Sequence, residues 1–179
     1  MAKKDLEIAG CALFFLERRG DLRGSFLKIY NETSFGAGVV SPNWKEVYYS
    51  TSEKDVLRGM HFQTPPYEHD KLVHCLSGAV TDVVLDLRTS SPTYRQAISV
   101  TLTEEEPVAI YIPKGCAHGF LSLKQASTLL YLVTSEYHSN HDRGIRWDSF
   151  GFSWPTKKPV LSSRDQSFPE LNSFESPFQ

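Results

Sequence analysis

The chain has 179 residues, with 19 basic and 21 acidic side chains, so its formal net charge is −2. That length suits one domain with a real core, read here as a single unit over 1–179, and 40% hydrophobic with 22% charged residues is an ordinary globular composition. Near-neutral charge excludes a strongly basic nucleic-acid binder, because no Lys/Arg excess exists to release phosphate counterions.

Along the chain, the first apolar run is Ile8–Leu16, nine uncharged residues. It is far short of the roughly 20 that a membrane-spanning helix needs, and it predicts a buried strand. Lys3 and Lys4 imitate the basic start of a signal peptide, but Asp5, Glu7 and the following Glu17-Arg18-Arg19 break that pattern, so a cytoplasmic chain with no membrane partner is expected. The one helical candidate lies around Asn31–Gly36. From Val80 to Leu87 the chain alternates, with Asp82 and Asp86 on the same face as Val80 and Val84. Such a face either meets water, the ordinary outcome, or lines a polar cavity, and periodicity does not choose between them. Ile98–Leu102, Val108–Ile112 and Thr128–Thr134 read as further strands. Turn-formers at Ser77-Gly78, Ser90-Ser91-Pro92, Glu106-Pro107 and Lys114-Gly115 punctuate them, and a spacing of about 8–12 residues predicts a sandwich or barrel. After Trp154, from about 155, alternation fades and Pro and Ser increase, which predicts a tail of short helices and loops wrapping the barrel.

Three cysteines without CxxC spacing (Cys11, Cys75, Cys116) predict buried thiols rather than a disulfide framework or structural zinc. Asn31-Glu32-Thr33 is a chance glycosylation triplet in a cytoplasmic chain.

Three clusters carry candidate chemistry. In Leu57–Gln63, Arg58 faces opposite to His61 and Gln63 on a regular strand, unless Gly59 introduces a bulge. His61 between Met60 and Phe62 taken alone is an ordinary core histidine. Ile112–Phe120 contains Pro113-x-Gly115-x-x-His118 entering a strand, which is similar to the second cupin motif. Metal cupins pair that histidine with an H-x-H and a glutamate; here the equivalent is His61-Phe62-Gln63, so a metal site lacks a ligand and none is expected. Asp165, in Ser162-Ser163-Arg164-Asp165, gains meaning only where the fold returns it to a histidine. No phosphate loop, dinucleotide fingerprint or nucleophile elbow is present.

Taken in order, Asp55–Gln63, Lys71-Leu72-Val73, Gly78–Arg88, Ser91-Pro92-Thr93, Ile112–Phe120 and Trp154-Pro155 closely resemble the dTDP-4-dehydrorhamnose 3,5-epimerase family. The resemblance begins at Asp21-x-Arg23-Gly24 and ends at Leu161–Asp165, covering most of the chain. It implies an all-β, cupin-type jelly-roll barrel with short peripheral helices. It also implies a homodimer in which an N-terminal strand pairs with the partner's sheet, and neither metal nor organic cofactor. The implied reaction inverts C3, or C3 and C5, of a nucleotide-linked 4-keto-6-deoxyhexose, in the making of rhamnose-like deoxysugars. By this resemblance His61 is the base and Asp165 its orienting carboxylate. Lys71 is the cation on the enolate oxygen, and Tyr131 the acid on the opposite face. Arg58, Gln63, His118 and Arg23 match substrate-contacting positions, and Asp82 turns toward the cavity with them.

The chain departs from the family pattern where a pair of tyrosines is usual (Glu136-Tyr137), where Gln-Asp-Asn is frequent (Glu46-Val47-Tyr48), and at Arg19-Gly20 and Lys28. These positions concern the nucleotide end, so the departures imply a carrier other than dTDP, with CDP or GDP as candidates. A related cupin 3,4-ketoisomerase is the alternative enzyme. A non-catalytic sugar- or metal-binding cupin is the alternative binding module, disfavoured because Lys71 and Tyr131 are both retained.

Overall fold

The computed structural model describes residues 2–36 and 43–179. Its strands are β1 (Ala2–Asp5), β2 (Ala12–Phe15), β3 (Arg18–Asp21), β4 (Gly24–Leu27), β5 (Glu46–Ser52), β6 (Leu57–Gln63) and β7 (Lys71–Ser77). They continue as β8 (Ala79–Asp86), β9 (Ala97–Thr103), β10 (Val108–Ile112), β11 (Cys116–Ser122), β12 (Ser127–Val133) and β13 (Asp142–Gly144). Two short helices, α1 (Glu32–Gly36) and α2 (Ser163–Gln166), and a 3₁₀ turn at Leu171–Ser173 complete the elements among the described residues. The strands form a six-stranded sheet ordered β1-β2-β10-β7-β12-β5, a five-stranded sheet ordered β13-β6-β11-β8-β9, and the separate hairpin β3-β4. All the sheet pairings are antiparallel, and the expected all-β, cupin-like architecture is what the chain adopts.

Period-two alternation assigns each side chain to a face. Inward residues of both sheets, among them Val73, Ile110, Leu129, Val84, Phe120 and Leu102, meet in one shared core. The outer face of the six-stranded sheet, with Phe14, Leu72, Tyr111 and Leu132, is covered by Phe35 of α1 and its neighbours Tyr30 and Trp44. The outer face of the five-stranded sheet, with Met60, Phe62, Leu85 and Leu121, is covered by the tail through Trp154, Leu171 and Phe178. Among the described residues no helix is long and apolar enough to cross a membrane.

Expected strands at Ile98–Leu102, Val108–Ile112 and Thr128–Thr134 are present as β9, β10 and β12, and the expected helix is α1. The run Ile8–Leu16 is not one strand. It turns at Gly10, whose φ is +84°, with Cys11 N–H donating to Ile8 C=O, and only Ala12–Phe15 is extended. Ile8 is nevertheless fully buried, so the hydrophobicity reports a packed hairpin turn. On β8 the ordinary, water-facing outcome is overturned: Asp82 and Asp86 are both fully buried. Asp86 is a structural anchor, accepting from the Arg88 guanidinium, Ser91 Oγ and Thr93 Oγ1. Burial alone would raise its carboxyl, but these donors hold it below the usual carboxylate range.

Between β6 and β11 the register slips: His118 faces His61, yet Phe120 faces Arg58. Three steps on β6 span two on β11, so one extra residue is accommodated near Gly59. Phe120 points inward, so its partner Arg58 joins His61 on the inner face, which a regular strand forbids. Gly59 has φ +142°, and a Cβ there would lie 2.5 Å from the Gly119 Cα. Both backbone conformation and space demand glycine. Gly59→Ala is therefore expected to destabilise the fold by about 2–4 kcal/mol, read as a lower urea midpoint at unchanged m-value.

Candidate active site

The inner face carries one polar group of residues from both sheets. On the five-stranded side stand His61 (β6), His118 (β11) and Asp82 (β8), on three adjacent strands. His118 is the direct register partner of His61, and Asp82 lies two residues from its other partner, Val84. On the six-stranded side stand Lys71 (β7), Tyr131 (β12) and Tyr48 (β5); Tyr131 pairs with both Val73 and Tyr48, and Lys71 with Val133.

Asp165 reaches His61 from the tail. Val160 forms a parallel bridge with Val56 and its carbonyl accepts from Leu57 N–H, laying the tail beside β6. Ser162 then caps α2, its Oγ accepting from Asp165 N–H at 3.0 Å. The Asp165 carboxylate turns inward, 2.7 Å from His61 Nε2, with Gly59 N–H on its other oxygen. Burial opposes ionisation there, but the hydrogen bonds from His61 and the Gly59 N–H outweigh it and hold Asp165 below the usual range. An ionised carboxylate only accepts, so Nε2 carries the proton and Nδ1 keeps the lone pair. The ring is thereby fixed in orientation and tautomer.

His118 repeats the motif deeper inside, its Nε2 2.8 Å from Asp82 Oδ2 with both side chains buried. Burial drives His118 below its ordinary value despite Asp82, so its ring is neutral at neutral pH. The second Asp82 oxygen, Oδ1, is buried with no hydrogen-bond partner among the described residues and remains an acceptor for something else. Lys71 is buried, its ammonium donating to the His61 carbonyl at 3.2 Å. Burial pulls it down to about 8, against the opposing charges of Asp142 and Asp82. Tyr131 is pushed well above its ordinary value by burial and keeps its proton.

A cavity of about 280 Å³ opens here, lined by His61, Lys71, Glu46, Tyr48, Tyr137, Asp142 and Arg164 among others. Arg58 stands at the inner face, donating to Ser52 Oγ and Thr51 C=O. Gln63 lines the cavity but its amide is already committed: its nitrogen bonds Tyr67 C=O, His69 Nδ1 and Glu136 C=O, and its oxygen accepts from His138 N–H. It ties two loops together and has little left for a ligand. Arg23 is not brought to the cavity of its own chain; it is exposed on the β3-β4 hairpin, paired with Asp21. Among the described residues, no group of three His, Cys, Asp or Glu side chains is placed to hold a metal ion.

Three residues that the motifs did not flag complete the site. Phe168 presents itself edge-on to the His61 ring, 5.6 Å between centroids. Arg164 lies over Phe168 at 5.1 Å and pairs with Asp142. The only sequence signal was the adjacency of Arg164 to Asp165; no local pattern connects Asp142 or Phe168 to His61.

The buried ammonium gives a test that needs no substrate. An unfolded lysine titrates near 10.5 and the folded one near 8, so between these values the unfolded chain binds more protons and stability rises with pH. Lys71→Met removes the buried charge. It is expected to be more stable than the parent by urea unfolding below pH 8, with the advantage shrinking as pH rises toward 10.5.

Comparison with known proteins agrees with this geometry. A family model described as dTDP-4-dehydrorhamnose 3,5-epimerase matches residues 5–173. The dTDP-4-dehydrorhamnose 3,5-epimerase of Sinorhizobium fredii is 37% identical over 180 residues, covering 98% of this chain and 92% of that protein. A dTDP-4-dehydrorhamnose 3-epimerase of Streptomyces niveus is 36% identical over 169 residues, covering 93% and 82%. The crystal structure of the Bacillus anthracis 3,5-epimerase with TDP and PPi bound superposes with a TM-score of 0.90 at 33% identity, covering 95% of this chain and all of that one. The chain belongs to the dTDP-4-dehydrorhamnose 3,5-epimerase family.

Proposed function

We propose that the protein inverts C3, or C3 and C5, of a nucleotide-linked 4-keto-6-deoxyhexose, in deoxysugar biosynthesis. The observation that carries this reading is the placement of a carboxylate-oriented base on one sheet and a protonated phenol on the facing sheet. A carbon acid beside a ketone inverts only when one face loses a proton and the other gains one.

His61 Nδ1 takes the proton from C3, and the C–H electron pair moves into the C3–C4 bond while the C4 carbonyl becomes an enolate oxygen. Asp165 steadies the imidazolium that forms. The Lys71 ammonium, held dry between the sheets, stabilises the enolate charge. Tyr131 then gives its proton to the opposite face of C3, the electrons return to the C4 carbonyl, and solvent restores both proton carriers. Arg58 supplies a cation at the inner face for the diphosphate, and His118 with Asp82 supplies a neutral, fixed partner for a sugar hydroxyl. A ketoisomerase using a similar pocket would instead return the proton to C4 and leave the ketone at C3, so the regiochemistry of the product separates the two readings.

A second copy completes the assembly. The hairpin β3-β4 leaves Leu22 and Phe26 exposed, and the edge strand β5 exposes Val47 and Tyr49. β1 pairs with its own β2, so β3-β4 is the free N-terminal element that joins the partner and carries Arg23 toward the partner's cavity. Three unpaired, buried thiols fit a reducing, cytoplasmic setting.

Incubation in D2O with dTDP-linked and CDP-linked 4-keto-6-deoxyglucose is expected to place deuterium at C3, or at C3 and C5, read by NMR. His61→Ala is expected to reduce this exchange by about a hundredfold to ten-thousandfold. Exchange unaltered by that substitution removes His61 as base, and an inert parent sinks the epimerase reading.

Carrier choice is tested separately. Solved relatives hold TDP or dTDP-sugars, according to their descriptions. Here Tyr48 is turned onto Tyr131, and the Glu46 carboxylate caps the Tyr137 N–H at 2.8 Å, so the cavity's outer wall is built from residues unlike the family pattern. Competition binding is expected to show no strong preference for dTDP over CDP and GDP. Binding of dTDP at least about tenfold tighter, or about 1.4 kcal/mol, overturns that expectation.

A further inference from the structure

Tyr48 is a departure that the reaction scheme leaves unused. It sits on the edge strand β5 as the direct antiparallel partner of Tyr131, so both rings project from the same face. The two rings lie nearly parallel, 14° apart with centroids at 4.8 Å. This is the offset-stacked arrangement that aromatic pairs favour. A second aromatic ring, that of His118, meets the Tyr131 ring at 6.0 Å and 66°. Tyr131 is thus held between a ring stacked nearly parallel on it and a ring that meets it obliquely.

The two contacts differ in origin. His118 is locked by Asp82 on the five-stranded sheet, whereas Tyr48 comes from the same sheet as Tyr131, is 40% exposed and lines the cavity. β5 has no outer neighbour among the described residues, so no cross-strand side chain backs the Tyr48 ring from that direction, and β5 also brings Ser50 to the Tyr131 phenol. Were a small or flexible side chain at position 48, the phenol would have free space on its cavity side and would lose its fixed plane.

We infer that Tyr48 is a positioning residue: by stacking on Tyr131 it holds the acid's ring against the sugar and so sets how often the enolate is protonated from the Tyr131 side. The inference rests on the epimerase reading, and its consequence is a partition. An enolate that Tyr131 fails to reach is protonated again by His61, giving back the starting configuration. In D2O, once the His61 imidazolium has exchanged its proton with solvent, that return leaves deuterium in uninverted substrate, while forward protonation gives inverted product.

The measurement is the ratio of deuterated, uninverted substrate to inverted product at C3, for the parent, Tyr48→Ala and Tyr48→Phe. Tyr48→Ala is expected to raise the ratio about threefold to tenfold, the range an aromatic pair's energy covers, and Tyr48→Phe to restore it because the ring remains. Tyr48→Asn repeats the test where the alanine variant does not fold. A folded variant whose ratio equals the parent's overturns the inference, and so does one that loses exchange and inversion together. A parent that exchanges nothing at C3 sinks the epimerase reading itself, a separate outcome. A purely structural role for Tyr48 changes melting temperature but leaves the partition where it was.

Discussion

Two sheets facing each other enclose one interior, and this protein uses it for two incompatible purposes. Much of it is dry hydrocarbon, with Val73, Val84, Ile110 and Phe120 fully or almost fully buried. The rest contains a lysine, two histidines and carboxylates that lose their hydration on the same inner faces. Burying a charge without a partner is costly, so the arrangement survives only because the polar groups answer one another. His61 holds Asp165, His118 holds Asp82, and Lys71 spans the gap between sheets to the His61 carbonyl. That last bond joins β7 to β6, so the separation of the sheets and the position of the cation relative to the base are set by the same contact.

Closing the barrel and making the base are also one event. The tail covers Met60, Phe62 and Leu85 with Trp154, Leu171 and Phe178. On the way it delivers Asp165 to His61 and Phe168 to the ring's other side. Phe168 fits because Gly144 opposite has no Cβ; one there would lie 2.3 Å from the ring. The apolar energy of the tail therefore anchors the Asp165 carboxylate against His61, where short-range preferences would leave it as a helix cap. Ser162 supplies the cap hydrogen bond itself and frees the Asp165 side chain for His61.

What the sequence made legible follows from the range of the forces involved. Alternation is local, so β9, β10 and β12 were readable from Ile98, Val108 and Thr128 onward, and the short helix near Phe35 was too. Where the local signal was ambiguous it misled: Ile8–Leu16 is apolar because a turn packs in the core, not because it is extended. The faces of Asp82 and Asp86 looked alike in sequence yet separate in role, Asp82 toward His118 and Asp86 into its own turn with Arg88. Arg58 was placed opposite His61 by strict alternation, and only a slipped register at Gly59 reunites them. Gln63 matched a contact position, but a fold that uses its amide to bind Tyr67, Glu136 and His138 leaves little of it for a ligand. The Asp142–Arg164–Phe168 chain was invisible because it joins β13 to the tail across space, with no spacing rule to reveal it.

With His61 as base and Tyr131 as acid, as proposed, the two sides of the reaction are supported unequally, and this bears on how many centres one binding event can invert. The base is overdetermined: a buried carboxylate fixes its tautomer, Phe168 fixes its plane, and Lys71 is bonded to its own backbone. Neither Asp165 nor Lys71 can shift without breaking a polar contact to His61. A base so fixed does not travel from C3 to C5, so a second inversion requires the sugar to bring its other carbon to the same nitrogen. The opposite face has a looser boundary, since Tyr48 is partly exposed on an edge strand and the cavity opens beside it. The cavity is bounded by His61 and Lys71 as well as by Tyr48, so on the proposed reading the partly exposed Tyr48 wall, rather than the fixed His61–Asp165 pair, is where a single inversion and a double one would part.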